Sequence, residues 1–151
     1  MTPTPPADIV DSLAMTYFVR PGGTALSNDL PVYPEHWGAA GAMYSTPRDL
    51  ATFADALFGG RLLKESSLAL MMRPGLDDYG YGAWSYTAKF GDRTWHVFKR
   101  PGQIMGAQSQ LYHIVEPDIT IILLANTASA DLDEFVARIG REVARESVPP
   151  R

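Results

Sequence analysis

The chain has no cysteine, which excludes disulfide bonds, thiolate metal sites and a cysteine nucleophile. It also has no apolar run near the roughly 20 residues that a membrane-spanning helix requires, so we expect no membrane span. Basic residues do not cluster beyond the pair Lys99-Arg100, and the formal net charge is −4. Because nucleic acids attract basic patches, we expect no nucleic-acid partner. The lack of cysteine does not by itself indicate a cellular compartment.

Several catalytic signatures are missing as well. The three histidines form no His-x-x-x-His pair, and the chain has no Gly-x-Ser-x-Gly elbow and no P-loop. The run Tyr79-Gly80-Tyr81-Gly82 lacks the third glycine, the preceding strand and the following helix of a dinucleotide-binding loop. We therefore expect neither a metal nor a cofactor. No serine has a lysine three residues later, which would place a proton acceptor one helical turn from a nucleophile.

What is present is the composition of a globular domain. Of the 151 residues, 46% are hydrophobic and 20% are charged, and the length suits one domain with its own core. We predict a disordered Pro/Thr-rich leader over residues 1–8 and a single domain over 9–147. Residues 148–151 are predicted to be a frayed tail.

Alternating and continuous apolar patterns predict an antiparallel sheet. Residues 119–125 are almost wholly apolar, and the Glu116-Pro117-Asp118 turn joins them to a mixed strand, as in a hairpin. Trp95 to Lys99 alternates, and Arg100-Pro101-Gly102 is predicted to end that strand. A short strand is predicted over 13–19, followed by a stretch without periodicity to about Met43. The four predicted sheet strands are 83–87, 93–99, 107–115 and 119–125.

Capping patterns predict the helices. Thr46-Pro47-Arg48-Asp49 has an N-cap, a proline at the first helical position and an acidic residue in the first turn. It opens a predicted helix over 49–59, and a second short helix is predicted over 64–72. Asp131 and Glu134 open the last helix, whose apolar stripe should lie across the sheet. The predicted fold class is α+β, with about four antiparallel strands packed against helices.

An ordered set of segments resembles one known family. The segments are GAAGAMYSTPRDL at 38–50, YGYG at 79–82, KRPGQIMG at 99–106, Pro117, and LLAN at 123–126. Together they resemble the C-terminal half of the serine beta-lactamase and penicillin-binding-protein-like hydrolases, particularly the class C and esterase branch. The resemblance covers roughly residues 13–145. It implies that two N-terminal strands, a helical lobe and the nucleophile helix of the complete fold are missing from this chain.

The resemblance also implies which residues form a site. In that family a Lys/His-x-Gly strand contacts the substrate and supplies one oxyanion N–H, and Arg100-Pro101-Gly102 takes its place here. Arg100 is then the substrate-binding cation, Gly102 permits close approach, and the Gln103 N–H is the oxyanion donor. Arginine holds a carboxylate but does not shuttle protons, and Pro101 removes one backbone donor. No nucleophile is identified, because Ser-x-x-Lys and Tyr-x-Asn are both absent from the chain.

Plain structural interpretations stand beside these roles. Arg100 also suits a solvated charge at a strand end, and Lys99 should face away from it. We expect His96 and His113 to be structural, and Ser45 with Thr46 to form a helix cap. A further set is expected to serve packing or turns: Tyr17, Trp84 and Asn126.

Two main functions follow. In the first, the chain is the C-terminal portion of a serine hydrolase acting on esters, amides or lactams, and it is inactive without a partner or continuation carrying Ser-x-x-Lys. In the second, it is a non-catalytic binding or interaction module derived from that fold. A smaller alternative is residual hydrolysis through Ser109. With N-terminal strands missing, an exposed sheet edge would also invite homo-oligomerisation.

Overall fold

The computed structural model describes residues 2–3, 11–30, 34–41, 43–90 and 92–146. Most of the predicted leader and all of the predicted tail, 148–151, lie outside these residues. The strands are β1 Thr2–Pro3, β2 Tyr17–Val19, β3 Leu26–Asn28, β4 Met43–Tyr44, β5 Trp84–Phe90, β6 Arg93–Ile104, β7 Ala107–Ile114 and β8 Ile119–Ala125. The α-helices are α1 Pro47–Phe58, α2 Glu65–Met71 and α3 Leu132–Glu146, and 3₁₀ segments span Pro34–Ala40 and Leu76–Asp78.

The predicted α+β arrangement is confirmed. Four strands form one antiparallel sheet in the order β5-β6-β7-β8, so each strand pairs with its neighbour in sequence. Small two-stranded ladders join β1 to β4 and β2 to β3. Short connections favour this meander because antiparallel neighbours need only a tight turn between them.

The end of β6 differs from the prediction. The strand runs through Arg100-Pro101-Gly102 to Ile104, rather than ending at Lys99, and Pro101 pairs with Gln110 of β7. Proline signals a strand end because it has no N–H to give to a ladder. Here the missing N–H of Pro101 costs no ladder hydrogen bond, because of the register in which β6 pairs with its neighbours.

The register shows where the backbone groups of β6 point. The Val115 N–H donates to the His96 carbonyl at 2.9 Å, and in antiparallel pairing such bonded positions recur at every second residue. Even-numbered residues of β6 therefore bond to β7, and odd-numbered ones point toward β5. Because β5 begins at Trp84, opposite Lys99, the backbone groups of Pro101 lie beyond the start of β5 and have no strand to pair with.

The two faces of the sheet are covered differently. On one face α3 packs over a buried core of β5 to β8 residues, and its own Val136 is 2% exposed. On the other face Phe58 of α1 stacks on His113, with ring centroids 3.7 Å apart, and meets Phe98 edge-on. We call these the α3 face and the α1 face. The core cluster of the α3 face is Phe90, Trp95, Val97, Tyr112, Ile114, Ile121 and Val136.

The helix starts follow the predicted capping. The Thr46 hydroxyl accepts from the Asp49 N–H at 3.1 Å, and Pro47 occupies the first turn of α1. The Asp131 carboxylate accepts from the Glu134 N–H at 2.9 Å at the start of α3. These contacts satisfy N–H groups that have no partner within the helix. The loop before α3 is held by the Gln108 amide of β7, which donates to the Thr127 and Ala130 carbonyls.

Candidate functional site

Lys99 and Arg100 lie on opposite faces, as their alternation predicts. The Lys99 ammonium lies 2.7 Å from the Asp133 carboxylate of α3, which places it on the α3 face. Arg100 shares its side of β6 with Phe98, which contacts α1. Arg100 is exposed, and among the described residues no carboxylate lies within ion-pair distance of it. Its charge is thus available on the α1 face.

The backbone beside Arg100 presents a donor at the sheet edge. By the register of β6, the Gln103 N–H lies beyond the start of β5, and both Gly102 and Gln103 are exposed. An N–H on an unpaired strand edge is a ready hydrogen-bond donor. Pro101 precedes it on the same edge with only a carbonyl. The edge therefore offers a single N–H between Lys99 and the end of β6 at Ile104.

The space at Gly102 already has an occupant. Gly102 pairs with Ser109 of β7, and a Cβ added to Gly102 would lie 2.6 Å from the Ser109 hydroxyl oxygen. A side chain at Gly102 would therefore require the Ser109 hydroxyl to move aside. Ser109 has no hydrogen-bonded histidine or lysine among the described residues, so nothing there is placed to take its proton. Hydrolysis through Ser109 has no geometric support.

A groove of about 540 Å³ opens beside this edge. It runs between the ends of β6 and β7 and the loop that leads into α3, and its wall includes Pro101, Gly102 and Gln103. Its floor contains Gln110, which is 1% exposed and donates to Asp133 at 2.5 Å, while its own amide oxygen has no partner. The groove lies on the side of Lys99 rather than that of Arg100.

A serine and a histidine approach each other on the α1 face but do not form a catalytic pair. His96 Nε2 lies 2.7 Å from the Ser85 hydroxyl oxygen, and Ser85 is fully buried. The same hydroxyl donates to the Met72 carbonyl, which accepts only. His96 must therefore donate its Nε2 proton to Ser85, the reverse of what a general base does. The pair joins the end of α2 to the sheet.

His113 is structural as well, as predicted. It is 3% exposed, its Nδ1 lies 3.0 Å from the Thr120 hydroxyl, and Phe58 stacks on its ring. Burial lowers the pKa of His113 below its ordinary value of 6.5, and nearby His96 acts in the same direction, while Asp118 opposes them. The neutral ring is therefore the form that the fold accommodates.

Burial also changes the pKa of a tyrosine in the core of the α3 face. Tyr112 is 3% exposed, and burial together with neighbouring Tyr86 raises the pKa of its phenol far above 10. Tyr112 pairs with Lys99 across β6 and β7. It remains neutral at physiological pH and does not act as a base.

The N-terminal segment is tied to this end of the sheet. Asp29 accepts from the Gly106 N–H at 2.6 Å, and the Tyr17 N–H donates to the Asn126 carbonyl at 2.9 Å. The Asn126 amide donates to the Met15 carbonyl, so this residue anchors the segment rather than capping its own turn as predicted. The Gly41 backbone packs against Ile104 at the end of β6. Asp29 and Gly41 of the stretch without periodicity thus contact the chain directly after the candidate edge.

Sequence reasoning did not find the groove residues Gln110 and Asp133. Gln110 is polar within an apolar strand, which is a usable signal, because a buried polar residue needs a partner. Its partner on α3 depends on tertiary packing. The described residues contain no group of three or more histidine and acidic side chains placed to hold a metal, and no helix among them is long and apolar enough to cross a membrane.

Comparison with known proteins places the chain in a family. A search of curated proteins found no match. The family model described as Beta-lactamase matches residues 2–145, which is nearly the whole chain. The match includes the sheet, the three α-helices up to residue 145, and the Arg100–Gln103 edge. The chain therefore belongs to the beta-lactamase family, whose fold is that of serine hydrolases.

Proposed function

We propose that this chain supplies the substrate-binding edge and one oxyanion donor of a beta-lactamase-like serine hydrolase that forms an acyl-enzyme with esters, amides or lactams. The observation that carries the proposal is the unpaired Gln103 N–H at the end of β6, next to the exposed Arg100. Penicillin-binding-protein-like and esterase activities both use such an edge. Without Ser-x-x-Lys in the chain, we propose that it is inactive alone.

Each group has a defined role in this proposal. A serine hydroxyl from a complementary chain or a continuation adds to the substrate carbonyl, and the lysine of the same Ser-x-x-Lys takes its proton. The oxygen of the carbonyl becomes negatively charged and accepts from the Gln103 N–H, which is already oriented. When the carbonyl re-forms, the bond to the alcohol or amine breaks, and that group leaves with the proton that the lysine took from the serine. Arg100 binds a carboxylate of the substrate, and the groove beside Gln103 receives the polar part of the substrate nearest α3.

The nucleophile test compares two proteins by intact mass after treatment with a fluorophosphonate or a penicillin. One is the chain alone, and the other is a fusion in which the N-terminal half of a beta-lactamase-family hydrolase, with Ser-x-x-Lys and Tyr-x-Asn, precedes it. We expect no adduct on the chain alone and a stoichiometric adduct on the Ser-x-x-Lys serine of the fusion. An adduct on the folded chain alone would contradict the proposal.

The oxyanion role has a sharper test in the same fusion. Gln103→Pro removes the N–H, and because that group lies beyond the start of β5 no ladder bond is lost, as Pro101 already shows. We expect the acylation rate to fall by about 10²- to 10³-fold, the usual cost of one oxyanion donor. Gln103→Ala keeps the N–H and is the matched control, so an equal loss in both variants would reject the role.

The Arg100 role is tested by neutralising Arg100 on β6 and, as a control, Lys89 on the paired strand β5. Arg100→Gln should weaken acylation by a substrate that carries a carboxylate, whereas Lys89→Gln, at an exposed position of β5, should not. A neutral ester should react equally with both variants.

The alternative function is a non-catalytic binding module that uses the groove between the ends of β6 and β7 and the loop before α3. A folded fusion that forms no adduct would support that alternative.

A further inference from the structure

The end of β6 that carries Gln103 is supported by a neighbouring strand on one side only. β7 pairs with β6 as far as Ile104, whereas β5 begins opposite Lys99. No other described strand pairs with residues 101–104. A strand end with few backbone partners moves more freely than the middle of a sheet. The position of the Gln103 N–H therefore depends on what holds the turn that follows it.

That turn is strained, and its glycine is not at the strained position. Ile104 pairs with Ala107, so Met105 and Gly106 form the two-residue connection between β6 and β7. Met105 has a φ of 50°, in the left-handed region that favours glycine, whereas Gly106 has no such angle. In two-residue hairpin turns a glycine ordinarily takes a left-handed position. The conformation of the turn therefore does not explain Gly106.

The contacts of Gly106 do explain it. Gly106 is buried, and a Cβ added to it would lie 2.4 Å from the Tyr17 carbonyl oxygen. Its N–H donates to the Asp29 carboxylate at 2.6 Å. The same carboxylate accepts from the Leu30 N–H at 2.8 Å, and the Asp29 N–H donates to the Thr16 carbonyl at 2.9 Å. Asp29 thus joins the turn after β6 to the ladder of β2 and β3.

The segment that carries Asp29 is itself bonded to the end of the sheet. The Tyr17 N–H donates to the Asn126 carbonyl at 2.9 Å, and the Ala128 N–H donates to the Tyr17 carbonyl at 3.3 Å. A hydrogen bond to a carboxylate is stronger than one to a neutral acceptor. Asp29 therefore connects an anchored segment to a strained turn.

We propose that Asp29 is a positioning residue of the candidate site. Its carboxylate holds Gly106, and through the turn it keeps the Gln103 N–H in the direction that an oxyanion requires. The chemical consequence rests on the proposed function, whereas the positioning itself is measurable in the chain alone. Because Asp29 bonds to the turn and not to the substrate, its effect on the reaction must pass through Gln103.

Backbone ¹⁵N relaxation tests the positioning without any reaction. In the unmodified chain the order parameter of the Gln103 N–H should be about 0.85, and Asp29→Ala should lower it below about 0.6. Asp29→Asn keeps one acceptor oxygen for Gly106 and should lower it less. Asp55→Ala, at an exposed position of α1, is the matched control and should leave it unchanged.

Three results of this measurement would overturn the proposal. The first is an unchanged Gln103 order parameter in Asp29→Ala, and the second is a larger decrease in Asp29→Asn than in Asp29→Ala. The third is loss of the folded circular dichroism spectrum in Asp29→Ala, because Asp29 would then serve the whole fold rather than one strand end.

Acylation of the fusion that carries Ser-x-x-Lys tests the consequence. Asp29→Ala should lower the acylation rate by about 10- to 100-fold, since a misplacement of about 1 Å can cost about 10²-fold. In the Gln103→Pro background the same substitution should cause no further loss, because the N–H that it positions is gone. Equal losses in both backgrounds would overturn the proposal. A fusion that is not acylated at all would contradict the proposed function instead, and the relaxation measurement still decides the role of Asp29.

Discussion

Two adjacent cations have different surroundings on the α3 face and the α1 face of the sheet. Lys99 meets Asp133 under α3, where its side chain is 19% exposed, whereas Arg100 projects from the α1 face without a carboxylate among the described residues. The difference arises because Asp133 of α3 lies beside Lys99, whereas no acidic residue lies beside Arg100 among the described residues. A charge on the covered face becomes part of the packing, and the same charge one residue later is free to bind a ligand.

The largest expected effect tests how tightly the α3 face is packed. Ile114→Ala on β7 removes a side chain that is fully buried under α3 and should lower the free energy of unfolding by about 2–5 kcal/mol. Leu111→Ala on the same strand faces the other side, is half-buried, and should cost clearly less. Urea denaturation measures both, and equal costs would mean that the α1 face is packed as closely.

The next prediction concerns the buried histidine of the α1 face. Because burial lowers the pKa of His113 in the folded chain, the unfolded chain takes up its proton first as the pH falls below 6.5. The free energy of unfolding should therefore decrease from pH 6.5 down to the folded pKa and then stop changing from this cause. His113→Leu should remove this component of the pH dependence in urea titrations. A slope of the same size in His113→Leu would assign it to another group.

The smallest expected effect compares the two cations directly. A double-mutant cycle of Lys99→Met and Asp133→Asn should give a coupling of about 0.2–1 kcal/mol, because Asp133 is 64% exposed and water screens the pair. Arg100→Met should change stability by less than about 0.5 kcal/mol. A larger loss for Arg100 than for Lys99 would show that the α1 face holds its cation in the fold.

Local patterns predicted most of the architecture. Alternation and capping residues located the four strands, and the starts of α1 and α3 follow from Thr46 and Asp131, because these signals depend on near neighbours in sequence. The path of β6 through Pro101 was not predicted, since a proline is tolerated only where the strand has an open edge. That condition depends on where β5 begins.

The contacts of the site depend even more on tertiary structure. The Ser85–His96 pair requires the hairpin register, and the Lys99–Asp133 pair requires α3 to lie across the sheet. The resemblance named Arg100, Gly102 and Gln103, and their catalytic roles remain predictions. What the fold adds is a direction for each group: Arg100 toward the α1 face, and the Gln103 N–H past the edge.

The hydrogen bond between Asp29 and the Gly106 N–H has a consequence for the order of folding. It joins residues 77 apart, whereas each pair of sheet strands is joined by a short turn. Closing a long loop costs more chain entropy than closing a hairpin, so the sheet should assemble before the N-terminal segment docks. Gly106 lies in the turn directly after β6, and the Tyr17 backbone packs against it. The strand end that carries Arg100 and Gln103 should therefore be among the last parts of the chain to become rigid.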